Sequence, residues 1–459
     1  MHLYPVSSKG EVYMEKKSFN KYLFALTLPI IIQNLITTAL NLLDTVMIGQ
    51  VGEVELAAVG IANQFYFLYS LFIFGIAGGA GVLIAQLWGN KDKENIRNVL
   101  GRAIMTASFL SALFIVVGAF KTESIICLFN SDPKIVAVAS GYLRITLFGY
   151  LFTSISFVLA AALRSINNTR MPMYASIVGL LVNGILNYTF IFGHFGVNAM
   201  YANGAAYATV IARTIECLIL IIFVRKHVDE LKLSIEHFKK MPEKLHASLK
   251  KVTYPILFNE ACWGIGTVTY MGIYAHLGTQ ATAAMQICTT IMNLFMVVAF
   301  GLSYGALVVV GNEVGAGNGD KAMELSGRIR KLALRVSLGL SIMLLVSSGF
   351  IAEFFNVSEA VKHIAANILL VFAIMLPLKM MNMLMVVGVL RGGGDALYGT
   401  ILQGSTLWAI GIPLTFIAGF VFHWPVHFVV GVSAVEEILK CILIERRYRS
   451  EKWVKVVFN

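Results

Sequence analysis

Charge is scarce in this chain. Asp, Glu, Lys and Arg make up 13% of its 459 residues, against about a quarter in a typical soluble domain. Hydrophobic residues make up 58%, and the mean hydropathy is +0.76. A surface so poor in charge is expected to face lipid over much of its area. Metal and disulfide motifs are missing too. Five cysteines (Cys127, Cys217, Cys262, Cys288, Cys441) show no C-x-x-C spacing and mostly fall inside apolar runs, which argues against a disulfide framework or a metal cluster. There is no Gly-x-x-x-x-Gly-Lys-Ser/Thr loop and no polar stretch large enough to form a nucleotide-hydrolysing domain. No nucleophile–base pair stands out either, so the chain reads as a non-enzyme that needs no cofactor. The net charge of +11 would suit a nucleic-acid partner, but the charges sit in short loops between apolar runs, as membrane topology requires. No nucleic-acid partner is expected.

A spanning helix needs about 20 mostly apolar residues. Twelve such runs are present, at roughly 22–48, 58–86, 100–120, 137–161, 172–192, 204–224, 252–276, 283–310, 332–352, 363–390, 397–418 and 425–445. The first follows a polar stretch and is longer than a signal-peptide core, so it is expected to persist as a span. Of the 36 Lys and Arg residues, 29 lie at one set of connections and ends, counting six from Lys440 onward. Three (Lys121, Lys134, Lys362) lie at the other set, and four (Arg144, Arg213, Arg335, Lys379) lie inside spans. The positive-inside rule then places both termini in the cytoplasm of a multi-pass protein of the cell membrane. The expected organisation is a cytoplasmic segment at 1–21, a first lobe at 22–224, a linker at 225–251, a second lobe at 252–445 and a cytoplasmic tail at 446–459. The linker carries Leu231, Leu233, Ile235 and Phe238 among lysines and is expected to lie along anionic lipid.

The two halves repeat each other. Pro29 matches Pro255, Gly52 matches Gly278 and Ala57-Ala58 matches Ala283-Ala284, all at one constant offset. Phe129-Asn130 matches Phe355-Asn356, and Leu163-Arg164 matches Leu390-Arg391. Six spans per half make the repeats parallel, with a cavity expected between two lobes that rock against each other. Glycines recur in the matching second and eighth spans, at Gly75, Gly78, Gly79 and Gly81 and at Gly301 and Gly305. Close helix packing is their expected role. The 19 methionines and 30 phenylalanines could line a cavity for varied apolar compounds.

Ionisable groups inside spans mark functional sites by default. Asp44 lies in the outer third of span 1. Asn183 and Asn187 share one face of span 5, and Thr209 falls at similar depth in span 6. Together they make an oxygen cage suited to a hard cation such as Na+. The same carboxylate in a low-dielectric pocket could instead accept a proton, or the group could be interhelical glue. Glu260 and Lys379 match in depth in the second half. They are expected to form an ion pair, either structural or part of a substrate or ion site. Arg213 and Glu216, three residues apart, are expected to neutralise each other. Arg144 has no obvious sequence partner and could approach the Asp44 group. His276 and His423 near outer helix ends read as interfacial.

The run Asn41-Leu42-Leu43-Asp44-Thr45-Val46-Met47-Ile48-Gly49, followed by Leu56-Ala57-Ala58-Val59-Gly60, resembles the multidrug and toxic compound extrusion (MATE) family of the MOP flippase superfamily. So do Ala162-Leu163-Arg164, Val389-Leu390-Arg391-Gly392 and Gly204-Ala205-Ala206-Tyr207-Ala208-Thr209. The resemblance covers roughly residues 18–448. It implies a V-shaped pair of six-helix lobes exporting amphipathic, often cationic drugs or toxic metabolites by antiport with Na+ or H+. It implies that Asp44, Asn183, Asn187 and Thr209 form the cation or proton site, and that Glu260 is an acidic residue of the second lobe. NorM-like members carry a further acid in span 10, where this chain has Met380, Met381 and Asn382 with Lys379 nearby. Some prokaryotic members carry an acid where Asn187 stands. A monomer in lipid is expected. The rival readings are a flippase for a lipid-linked saccharide, which would want a more cationic cavity, and a passive channel, which would need no buried titratable cage.

Overall fold

A computed structural model describes residues 16–239, 241–353, 355 and 357–458. Lys9 and the rest of residues 1–15 lie outside the described residues, as does Asn356 of the repeat match. The first half comprises α1 (Lys16–Gly49), α2 (Glu53–Gly89), α3 (Lys93–Phe120), α4 (Pro133–Ser165), α5 (Arg170–Phe192) and α6 (Tyr201–His227). The second half comprises α7 (Glu243–His276), α8 (Thr279–Gly315), α9 (Gly319–Glu353), α10 (Glu359–Leu390), α11 (Ala396–Val421) and α12 (Val426–Arg449). Among the described residues, ten of these are long and apolar enough to cross a membrane. The two that fall short are α7 and α12, and α12 carries Glu436, Glu437 and Lys440 in its middle. Both ends of the described chain and the linker share one face, here called the basic face.

Local chemistry sets the helix ends. Asp92 caps α3 by accepting from the Asn95 amide at 3.1 Å. Asp132 caps α4 from the Lys134 amide at 2.8 Å, with Pro133 in the first turn, where its missing N–H costs nothing. Gly193, at φ 77°, closes α5 in the left-handed conformation that glycine tolerates best. Pro29 in α1 and Pro255 in α7 lie inside matching helices at matching places. The last turns of α10 (Leu384–Leu390) and two stretches of α11 (Leu407–Gly411 and Ile417–Val421) are π-helical.

The packing repeats with the sequence. In the first half α2 packs on α3 and α4, α4 on α3 and α6, α1 on α5, and α5 on α6. Each of these pairs recurs in the second half, six helices later. The halves meet through α1 with α8, α2 with α7, and α2 with α8. Glycines let them close. Gly79 sits on Thr253 and its match Gly305 on Thr27. Gly75 sits on Leu257 and its match Gly301 on Ile31. At the basic ends of α2 and α8, Gly89 lies on the Asn312 backbone and Gly315 on the Gln86 backbone. A side chain at either position would collide with main chain that cannot retreat. The expected packing role of the glycine runs is met.

One apolar cluster binds the halves across this region. It includes Phe19, Leu23, Val82, Ala85, Val252, Ile256, Ala306 and Ile329, all from the basic halves of their helices. Toward the far face the cores separate, one around Tyr69, Leu147 and Tyr150 and the other around Cys288, Leu369 and Val429. The lobes therefore join at the basic face and part toward the far face, the V-shaped two-lobe arrangement.

The linker is docked on protein. Leu231 is buried in the first-half core, while Ile235 is exposed. Lys93 pairs with Glu230 at 2.9 Å, and His237 meets Glu94 at 3.1 Å. A hydrogen bond from Lys232 holds the Asp229 carboxyl below its usual range. The tail beyond Arg449 also turns back on the bundle. Trp453 is fully buried against Gly393 and stacks on Tyr448 at 5.7 Å. Gln86 holds the tail from the other half. Its Nε2 donates to the carbonyls of Gly392 (3.1 Å) and Lys455 (3.0 Å), and its Oε1 accepts from the Val457 amide (2.9 Å).

Gly305→Leu is expected to overfill the contact between halves and destabilise the protein by about 1–3 kcal/mol. Gly272→Leu, where a side chain meets open space, should leave the melting temperature in detergent nearly unchanged. Equal melting temperatures for the two variants would show that the glycine contact is not under packing constraint.

Candidate cation and substrate site

Helices α1, α5 and α6 bring the four predicted residues together in the first lobe. Asn187 Nδ2 donates to Asp44 Oδ1 at 2.5 Å and to Asn183 Oδ1 at 3.0 Å, and Asn183 Nδ2 reaches Thr209 Oγ1 at 3.4 Å. Both asparagines are 0% exposed, and their four-residue spacing on α5 is what lets one amide serve the next. Asn187 Oδ1 is buried with no hydrogen-bond partner, an arrangement that costs free energy unless something electropositive completes it. Arg213 pairs with Glu216 at 2.8 Å, as expected, and Ser176 donates to Glu216 at 2.7 Å. Arg213 lies within electrostatic reach of Asp44. Asp44, Glu216 and Arg213 together leave one negative charge in excess in a buried setting. A monovalent cation or a proton would balance it.

The expected pair in the second lobe does not form. Glu260 accepts from Arg391 at 2.9 Å, while Lys379 lies over the Phe372 ring at 5.2 Å. Depth along the helices matches Glu260 with Lys379, but depth carries no information about azimuth. Arg391 stands at the end of α10, where its buried side chain points inward. Its repeat match, Arg164, donates to Gln33 at 3.1 Å and lies 5.4 Å from the ring centre of Tyr304 in the other half. Arg144 pairs with Glu123 at 3.3 Å on the exposed surface and does not join the Asp44 group.

Sequence reasoning misses a second buried cluster. Tyr270 donates to Glu436 at 2.9 Å, and Lys440 pairs with Glu436 at 2.8 Å and with Glu437 at 3.4 Å. Asn382 donates to Glu437 Oε2 at 2.7 Å, and Lys379 lies within electrostatic reach of Glu437. Glu436 is 4% exposed and Lys440 7%. The count of basic residues groups Lys440 with the C-terminal end, although it falls within the run 425–445. Glu436, Glu437 and Lys440 close together in the middle of one predicted span are the available signal. At the far face, His276 and His423 share a cavity of about 700 Å³ with His363 and His427. Among the described residues, no three His, Cys, Asp or Glu side chains are grouped to hold a metal.

Two parallel six-helix repeats, joined at one face and each holding a buried polar cluster, define a duplicated multi-pass membrane protein. The chain belongs to the MatE family, whose sequence profile matches residues 29–189 and 255–417. It is 27% identical to "Probable multidrug resistance protein NorM" of Agrobacterium fabrum, over 94% of this chain and 96% of that one. It is 24% identical to "Probable multidrug resistance protein YoeA" of Bacillus subtilis, over 85% and 84%. The crystal structure of the Vibrio cholerae MATE transporter VcmN in the bent form superposes with a TM-score of 0.85 at 19% identity, covering 96% and 99% of the two chains. That likeness is one of fold.

Removing one partner of the Glu260–Arg391 pair strands the other charge in the interior, at a cost of about 3–5 kcal/mol. Glu260→Gln and Arg391→Met should each lower the melting temperature more than the double variant does. Lys379→Met combined with Glu260→Gln should be additive. Non-additivity of that second pair would return Lys379 to Glu260.

Proposed function

We propose that the protein is a secondary active exporter of amphipathic, often cationic compounds, driven by antiport of Na+ or H+ through the Asp44 site. It performs no covalent chemistry. The basic face lies in the cytoplasm, so the described state is closed inward and parts toward the outside. The observation that carries the reading is the buried oxygen cluster at Asp44, with one excess negative charge and the unpartnered Asn187 oxygen. Family membership and the names of the relatives support the substrate class. In this reading, a cation or proton entering from outside neutralises Asp44 and lowers affinity for a cationic compound in the cleft, which then leaves outward. Coupling requires only that ion and substrate favour different conformations. Apolar side chains lining such a cleft would accept varied shapes, because apolar burial is not directional.

Asp44→Asn removes the excess charge while keeping the shape of the site. It should abolish efflux of a fluorescent cation under imposed Na+ and H+ gradients, with expression and folding retained. Undiminished pumping under both gradients would overturn the coupling role. Spin labels at Asn168 and Ala396, and at Glu53 and Thr279, should report distances that shift in opposite senses when the coupling ion is added. If neither pair responds to Na+, pH or substrate, the reading of two rocking lobes is wrong.

A further inference from the structure

The duplication carries the Asp44 site into the second lobe in altered form. The register that pairs Pro29 with Pro255 lays α1 on α7 and puts Tyr270 at the position of Asp44. The register that pairs Gly204 with Gly431 lays α6 on α12 and puts Glu436 at Thr209 and Lys440 at Arg213. The matched residues meet again in space. Tyr270 donates to Glu436, which accepts from Lys440. Gly411, the match of Gly184, lies so close to this hydroxyl and carboxylate that a Cβ there would strike both. Acid and hydroxyl have exchanged helices. The first repeat has its acid on the first helix and its hydroxyl on the sixth, and the second repeat has the reverse.

The cationic position behaves differently in the two copies, and the reason is visible. Arg213 is drawn off by Glu216 at 2.8 Å, so among the described residues no Lys or Arg lies within ion-pairing distance of Asp44. The match of Glu216 is Leu443. Nothing there draws Lys440 away, and it turns onto Glu436 and Glu437. The matches of Asn183 and Asn187 are Ile410 and Leu414, so the amide oxygens are gone as well. The first copy retains an unpartnered buried oxygen, while the Tyr270, Glu436 and Lys440 side chains are all served.

We propose that the second lobe holds a closed copy of the cation site. In it the Lys440 ammonium permanently occupies the place that an exchangeable monovalent cation takes beside Asp44, so the protein exchanges one such ion per chain and not two. This rests on reading the Asp44 cluster as an ion site. An ammonium and a dehydrated Na+ place the same unit charge among carboxylate and hydroxyl oxygens, and the tethered one cannot leave.

The test uses the full chain purified in detergent, with binding of radioactive Na+ measured by equilibrium dialysis against choline at equal ionic strength. Lys440→Met should gain one Na+-binding equivalent, and should keep that gain when combined with Asp44→Asn. Lys440→Arg should gain none. Should Lys440→Met fail to fold, Lys440→Met/Glu437→Gln, which removes one carboxylate with the ammonium and keeps the net charge of the cluster, should gain the same equivalent, and a folded form that gains none would overturn the proposal. A folded Lys440→Met/Asp44→Asn protein that binds no Na+ would overturn the proposal. So would an Asp44→Asn protein that already binds Na+ at a site abolished by Glu436→Gln. In a purely proton-coupled protein the wild type binds no Na+, and the gain in the Lys440 variant still decides. Failure of the exporter reading shows separately, as efflux that survives Asp44→Asn.

Discussion

Two glycines that match each other in the repeats rest on each other's helices at the basic face, and the lobes are held by that contact. Gly89 meets the main chain at Asn312, and Gly315 meets it at Gln86. Because the contacting residues are themselves repeat matches, the contact is self-complementary, in the manner of a two-fold dimer interface folded into one chain. Main chain touching main chain leaves no side chain to adjust. Such a joint is either made or broken, and that suits two lobes that must part cleanly.

Away from this joint the lobes share architecture but differ in charge. In the first lobe Asp44 accepts from the neutral Asn187 amide, and the guanidinium within its electrostatic reach, Arg213, is paired with Glu216. The second lobe sets Lys440 between Glu436 and Glu437, with Lys379 within electrostatic reach of Glu437 as a second positive charge, and balances Glu260 with Arg391. Symmetric helices thus carry an asymmetric electrostatic load, with the uncompensated charge on one side. The two pockets differ at the matched pairs Asp44/Tyr270, Asn183/Ile410, Asn187/Leu414, Thr209/Glu436 and Glu216/Leu443.

Much of this is legible in the sequence. Spans of about 20 apolar residues and the repeat offset define the helices and their parallel arrangement, since both are linear properties of the chain. Asp44, Asn183, Asn187 and Thr209 can be grouped because each lies a countable number of residues from a helix end. The Glu260 partner cannot be found that way. Residues at one depth still point in any of several directions, and Arg391 is flexible enough to reach back from the end of α10. Lys440 escapes for a related reason. Near a basic terminus, a single lysine looks like one more positive charge among many, and only burial separates it from them. Alternation of apolar and basic residues suggests a linker lying on lipid, yet Leu231 is turned into the protein. Glu230 and His237 of the linker find partners on the first lobe, in Lys93 and Glu94.

The tail that crosses the basic face has a different kind of specificity. Three of its bonds use main-chain atoms on the tail side, the Lys455 carbonyl and the Val457 amide to Gln86 and the Lys455 amide to the Gly393 carbonyl at 2.7 Å, and a fourth runs from the Lys455 ammonium to the buried Asp395 carboxylate at 2.6 Å. Main-chain bonds are indifferent to most side chains but sensitive to spacing. Beyond Trp453 this segment is therefore read by its length, like a ruler. The number of residues between Arg449 and Val457 is fixed by those main-chain bonds, and Lys455 is fixed in addition by its charge, through Asp395.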